Sequence, residues 1–98
     1  MPRSIIVGSG SEIARNCITN ERLSKVLDTN DAWIRERSGV ETRYYVDAGT
    51  STADLGVAAA EKAIAASGVA RDAIDLVISA TMTPDHFFPG NSTIYQTR

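Results

Sequence analysis

The sequence predicts an α/β protein: part of a layered fold in which a mixed sheet carries a buried, alanine-rich helix. Three stretches carry this reading. Ser4-Ile5-Ile6-Val7-Gly8-Ser9-Gly10 is a short β-branched run closing on glycines, the pattern of a buried strand that leads into a tight turn. Residues 52–67 form the strongest helical pattern of the chain, with Leu55, Val57 and Ile64 among many alanines and only Asp54, Glu61 and Lys62 charged. Leu76-Val77-Ile78-Ser79-Ala80-Thr81 is apolar without alternation, as in a central strand covered on both faces. Strand, long helix, strand in that order is the signature of a right-handed crossover.

The intervening elements follow from local chemistry. Thr19-Asn20-Glu21-Arg22 supplies capping residues and an early acid, and Leu23, Val26 and Leu27 follow at helical spacing, so a short amphipathic helix is expected over 20–27. The stretch before it, including Cys17, reads as a polar loop. Thr29-Asn30-Asp31-Ala32-Trp33-Ile34-Arg35-Glu36-Arg37-Ser38-Gly39 opens on cap candidates and closes on a glycine suited to a left-handed C-cap, which predicts a second short helix. Residues 40–46 mix β-branched, aromatic and charged side chains and read as a partly exposed strand. Ser51 with Asp54 three residues on resembles a capping box ahead of the long helix, and Gly68 is its expected C-cap. Residues 82–90 form a loop after the second predicted strand, and 91–98 begin a capped helix.

Composition excludes several functional classes. A chain of 98 residues is the size of one small domain, and one so short buries only about 60 to 65% of its unfolded surface. A net charge of −2 and a pI near 5.2 lack the basic footprint of a nucleic-acid binder. No apolar run approaches a membrane span, and the N-terminus has no signal-peptide core, so a cytoplasmic protein is expected. Hydrophobic content of 43% is ordinary for a soluble domain. The single cysteine, Cys17, allows neither an internal disulfide nor a cysteine-based metal site.

Candidate functional residues are few. Thr29, Trp33 and Arg37 are spaced four and four, so on a helix their side chains lean to one face. A hydroxyl, an indole and a guanidinium in a row could hold a nucleotide: Trp33 stacking on a base, Arg37 reaching phosphate, Thr29 donating a hydrogen bond. Equally, this could be an amphipathic surface helix with Trp33 as a packing anchor and its arginines solvated. Gly8-Ser9-Gly10 lacks the third glycine of a dinucleotide loop. Phe87 and Phe88, adjacent and close to prolines in a loop, are expected to line a pocket or meet another subunit. His86 could act as a base, although no partner is placed beside it.

Taken together, Ile-Ile-Val-Gly-Ser-Gly, then Thr-Asn-Asp-Ala-Trp-Ile-x-x-Arg-Ser-Gly-Val, then the alanine-rich helix, then Ile-Ser-Ala-Thr-x-Thr-Pro-Asp-His-x-Phe-Pro resemble the N-terminal part of β-ketoacyl-acyl carrier protein synthase III. The resemblance is collinear over essentially the whole chain. It departs from the family at residues 11–15, where an aromatic or apolar residue followed by proline is usual.

The resemblance implies a thiolase-like αβαβα fold working as a homodimer. It implies an acyltransferase that condenses an acyl-CoA primer with malonyl-acyl carrier protein and releases carbon dioxide, with coenzyme A thioester as substrate and no tightly bound cofactor, metal, nucleic acid or membrane partner. Matched position by position, Trp33 corresponds to the residue that stacks on the adenine, Arg37 to one that meets coenzyme A phosphate and Thr29 to a hydroxyl near the adenine. Phe88, beside Phe87, corresponds to an aromatic that closes the partner subunit's acyl pocket. Residues 1–98 then form the N-terminal portion of the first thiolase-like domain, ending before the catalytic residues; neither Cys17 nor His86 matches them. The alternative is a truncated, non-catalytic module for coenzyme A binding or dimer contacts.

Overall fold

The computed structural model describes residues 2–98. The chain divides into two compact units, Ile13–Gly49 on the one hand and Thr50–Arg98 with the N-terminal segment up to Glu12 on the other.

In the first unit, β1 (Asn16–Thr19) pairs antiparallel with β2 (Thr42–Tyr45), Cys17 opposite Tyr44 and Ile18 opposite Arg43. Cys17 therefore lies on an exposed strand and not in the expected loop. Nothing local marks Asn-Cys-Ile-Thr as a strand; its ladder partner is more than twenty residues away. Helix α1 (Asn20–Ser24) follows at once, with the Thr19 hydroxyl accepting from the Arg22 amide, and it stops short of the expected residue 27. Helix α2 (Asp31–Ser38) is capped by Asn30, whose side chain accepts from the Trp33 amide at 2.8 Å. It ends on Gly39 at φ 73°, a left-handed turn that glycine adopts without steric cost.

Ile18 and Ile34 are the buried apolar residues of this unit, and Asn20 is its buried polar centre. The Asn20 amide nitrogen donates to Asp31 Oδ1 and to the Val40 carbonyl, both at 2.8 Å, and its oxygen accepts from Arg43. A buried amide is tolerated only when its donors and acceptor are satisfied, and here one side chain ties α1, α2 and the strand pair together.

The second unit is built on α3 (Thr52–Ser67). The expected capping box is present: Ser51 Oγ accepts from the Asp54 amide at 3.2 Å, and Asp54 Oδ2 accepts from the Ser51 amide at 2.8 Å. Gly68, at φ 70°, closes the helix as its C-cap. Gly8 and Gly10 lie directly on α3. A methyl group at Gly8 would come within 2.6 Å of the Ala63 carbonyl oxygen, and one at Gly10 would meet Ala59 and Ala63. These glycines serve close packing of backbone on helix. Lys62 fastens the same segment by donating to the Ser11 carbonyl at 3.0 Å and pairing with Glu12.

Two expected strands are corrected. Residues 4–7 and 76–81 carry no ladder among the described residues, and Ile6 and Ile78 are exposed. An apolar run suits a strand but does not make one; the ladder bonds come from a neighbour, and neither run has one here. Among the described residues the hydrogen-bonded sheet is the two-stranded β1–β2 pair. Helix α3 is largely half-buried, with Ala53 its buried residue, where the sequence predicts a buried helix. A 3-10 turn (Arg71–Ala73) and α4 (Asn91–Thr97) complete the unit. Among the described residues no helix is long and apolar enough to cross a membrane.

Candidate functional site

Helix α2 carries two of the three candidate residues, Trp33 and Arg37. Trp33 is 54% exposed, and Arg37, one turn on, places its guanidinium carbon 5.5 Å from the centroid of the indole ring. That is cation–π geometry: the guanidinium lies over the electron-rich face of the ring. One face of the indole is therefore covered from within this helix.

The helix carries two basic residues in its last turn, and the structure separates them. Arg35 is committed to its own protein, bonding Asp31 at 2.9 Å and Glu41 at 2.7 Å. The Arg35 bond holds the Asp31 carboxyl below its ordinary value, with Asn20 adding to the effect, and Asp31 in turn raises Arg35. Arg37 makes no ion pair among the described residues. Its donors remain available for an anion.

Thr29 is corrected in position. It precedes the cap Asn30 and so lies outside α2, which breaks the four-and-four face expected from spacing. Yet its Oγ1 is the one buried side-chain polar atom among the described residues with no hydrogen-bond partner. A buried hydroxyl left unpaired costs about 1 to 3 kcal/mol.

Phe87 and Phe88 are brought together on the loop before α4, and both stand in solvent, 84% and 92% exposed. Within this chain they are not shielded, contrary to what two adjacent phenylalanines suggest. His86 beside them is also exposed. Among the described residues no group of three or more His, Cys, Asp or Glu side chains comes together to hold a metal ion.

Sequence reasoning missed Asp85. Its Oδ1 accepts from the Thr52 amide at 2.9 Å and its Oδ2 from the Ala53 amide at 3.0 Å, so this carboxylate caps α3 from a loop over thirty residues away. With Ser51 taking the Asp54 amide, the first three amides of α3 all have side-chain acceptors. No local spacing links residues 52 and 85; only the Pro84-Asp85 turn chemistry hinted at a structural role.

No family model matches the chain. It is 43% identical over 96 residues to a β-ketoacyl-acyl-carrier-protein synthase III of Rhizorhabdus wittichii, covering 98% of this chain and 30% of that protein. Among solved structures, a 3-oxoacyl-acyl-carrier-protein synthase III from Aquifex aeolicus matches 94% of this chain and 30% of its own with a TM-score of 0.86 at 33% identity. The priming β-ketosynthase of the R1128 polyketide biosynthetic pathway matches with a TM-score of 0.87 at 29% identity, over 94% of this chain and 28% of its own. The chain thus spans about 30% of the length of the relatives it matches.

Proposed function

We propose that this chain, which resembles β-ketoacyl-acyl carrier protein synthase III along nearly its whole length and shares the thiolase-like fold of those structures over that length, carries the coenzyme A-binding helix of a condensing acyltransferase. The parent enzyme joins an acyl-CoA primer to malonyl-acyl carrier protein as a homodimer. An enzyme thiolate takes the acyl group and releases coenzyme A. Loss of carbon dioxide from the malonyl thioester then leaves a carbanion, which attacks the acyl thioester, forms the 3-oxoacyl product and frees the thiolate. Cys17, on an exposed strand, does not correspond to the position of the family's nucleophile. The nucleophile belongs to residues outside these 98.

The observation that carries the reading is Arg37 over Trp33. The adenine stacks on the open face of Trp33, Arg37 reaches a coenzyme A phosphate from the other side, and the buried Thr29 hydroxyl gains the partner that it lacks. Phe87 and Phe88, exposed here, are covered in the assembly, Phe88 closing the acyl pocket of the partner subunit. Titration calorimetry of coenzyme A on the full-length enzyme tests this directly: Trp33→Ala should weaken binding, and unchanged affinity would remove the adenine assignment.

A further inference from the structure

The loop bearing Phe87 and Phe88 is irregular, yet both of its ends are tied to the body of its unit. At the near end the Thr83 carbonyl accepts from Thr52 Oγ1 at 3.1 Å, and the Asp85 carboxylate spans the Thr52 and Ala53 amides. At the far end Asn91, 2% exposed, accepts from the Asp85 amide through its side-chain oxygen at 3.0 Å. Asn91 Nδ2 lies 3.4 Å from the Tyr95 hydroxyl, and Tyr95 packs against Gly56 of α3, where no side chain would fit.

The carboxylate is well matched to its place. It meets two amides at the positive end of a 16-residue helix, where a negative group is favoured by the helix dipole as well as by the bonds. Asp85 and Asn91 are joined to each other, so the five residues between them are clamped at both ends. Phe87 and Phe88 fall inside that clamp and are the side chains it presents.

We infer that Asp85 and Asn91 are a positioning pair, which clamps the loop bearing Phe87 and Phe88 onto the N-terminus of α3 and thereby sets which acyl chains the pocket accepts. The inference rests on the reading of Phe88 as a wall of that pocket. Neither residue touches substrate in it; each acts through the phenylalanines, as a supporting residue holds a site in its productive geometry.

The experiment compares Asp85→Asn, Asn91→Ala and Phe88→Ala in the full-length enzyme, by kcat/KM for a two-carbon and an eight-carbon acyl-CoA primer, with the affinity for free coenzyme A as control. Asp85→Asn keeps the shape but replaces one acceptor oxygen with a donor, so it loosens the clamp without removing the residue. Both clamp variants should shift the ratio of the two kcat/KM values in the same direction as Phe88→Ala, by about tenfold, while coenzyme A affinity stays unchanged. If Phe88→Ala shifts the ratio and the clamp variants do not, the positioning role falls and the reading of Phe88 stands. If Phe88→Ala leaves the ratio unchanged, that reading of Phe88 falls, and with it the link to acyl selectivity. The clamp is then judged alone from the fluorine resonances of fluorophenylalanine at 87 and 88. Sharpening to a mobile signal in Asp85→Asn supports it, and an unchanged spectrum overturns it.

Discussion

The guanidinium of Arg37 lies over the Trp33 ring, 5.5 Å from its centroid, while Arg35 of the same helix is held by Asp31 and Glu41. One helix therefore carries an arginine ion-paired within its own unit and an arginine with no ion pair among the described residues. Mutating each should give a different result.

Loss of the indole removes the stacking face. Trp33→Ala should weaken coenzyme A binding by about 0.5 to 2 kcal/mol, and Trp33→Phe by less, because a smaller ring still stacks. Calorimetry on the full-length enzyme measures both; equal losses for Ala and Phe would argue against stacking.

Arg37→Ala should lower coenzyme A affinity about tenfold, the scale of a lost charge-assisted hydrogen bond, and should flatten its dependence on salt. Arg35→Ala should leave affinity nearly unchanged and lower the melting temperature slightly, as exposed ion pairs contribute little. The reverse pattern would show that the two arginines have been assigned to the wrong roles.

Asn20→Ala strips the hub of the first unit, leaving Asp31, the Val40 carbonyl and Arg43 each short of a partner. A loss of about 2 to 4 kcal/mol in urea denaturation is expected, more than for a lone surface bond. A loss below about 0.5 kcal/mol would mean that water replaces the amide without difficulty.

Gly56→Ala sets two effects against each other. Alanine in mid-helix gains about 1 kcal/mol over glycine, but its methyl group would overlap the Tyr95 ring, and overpacking costs about 1 to 3 kcal/mol. Net destabilisation is expected, relieved when Tyr95→Ala is added. Stabilisation by Gly56→Ala alone would show that Tyr95 moves aside freely.

Acid should loosen the α3 N-terminus. The Ser51 amide first, and then Arg98, hold the Asp54 carboxyl below its ordinary value of 3.8. A carboxyl lowered by folding stabilises the protein fully above its unfolded value, and that stabilisation is lost as pH falls through the folded one. The melting temperature should therefore fall as the pH drops below about 4, and fall less in Asp54→Asn. Parallel curves for the two proteins would remove the capping carboxylate as the cause.

The sequence by itself determined the ends of α2 and α3. Ser51, Asp54 and Gly68 bracket α3, and Asn30 and Gly39 bracket α2, because capping and helical bonds join residues three or four apart and are written into short stretches. The Trp33–Arg37 pair was legible for the same reason. Tertiary structure decided whatever depends on distant partners: that Asn16–Thr19 is a strand while 4–7 and 76–81 carry no ladder among the described residues, that the Thr29 hydroxyl is buried without a partner, and that Arg35 is ion-paired while Arg37 is not. It also decided that Asp85 caps a helix that starts thirty-three residues before it. A ladder, an ion pair or a remote cap is a bond between residues far apart in the chain, and its free energy exists only once folding has closed the loop between them.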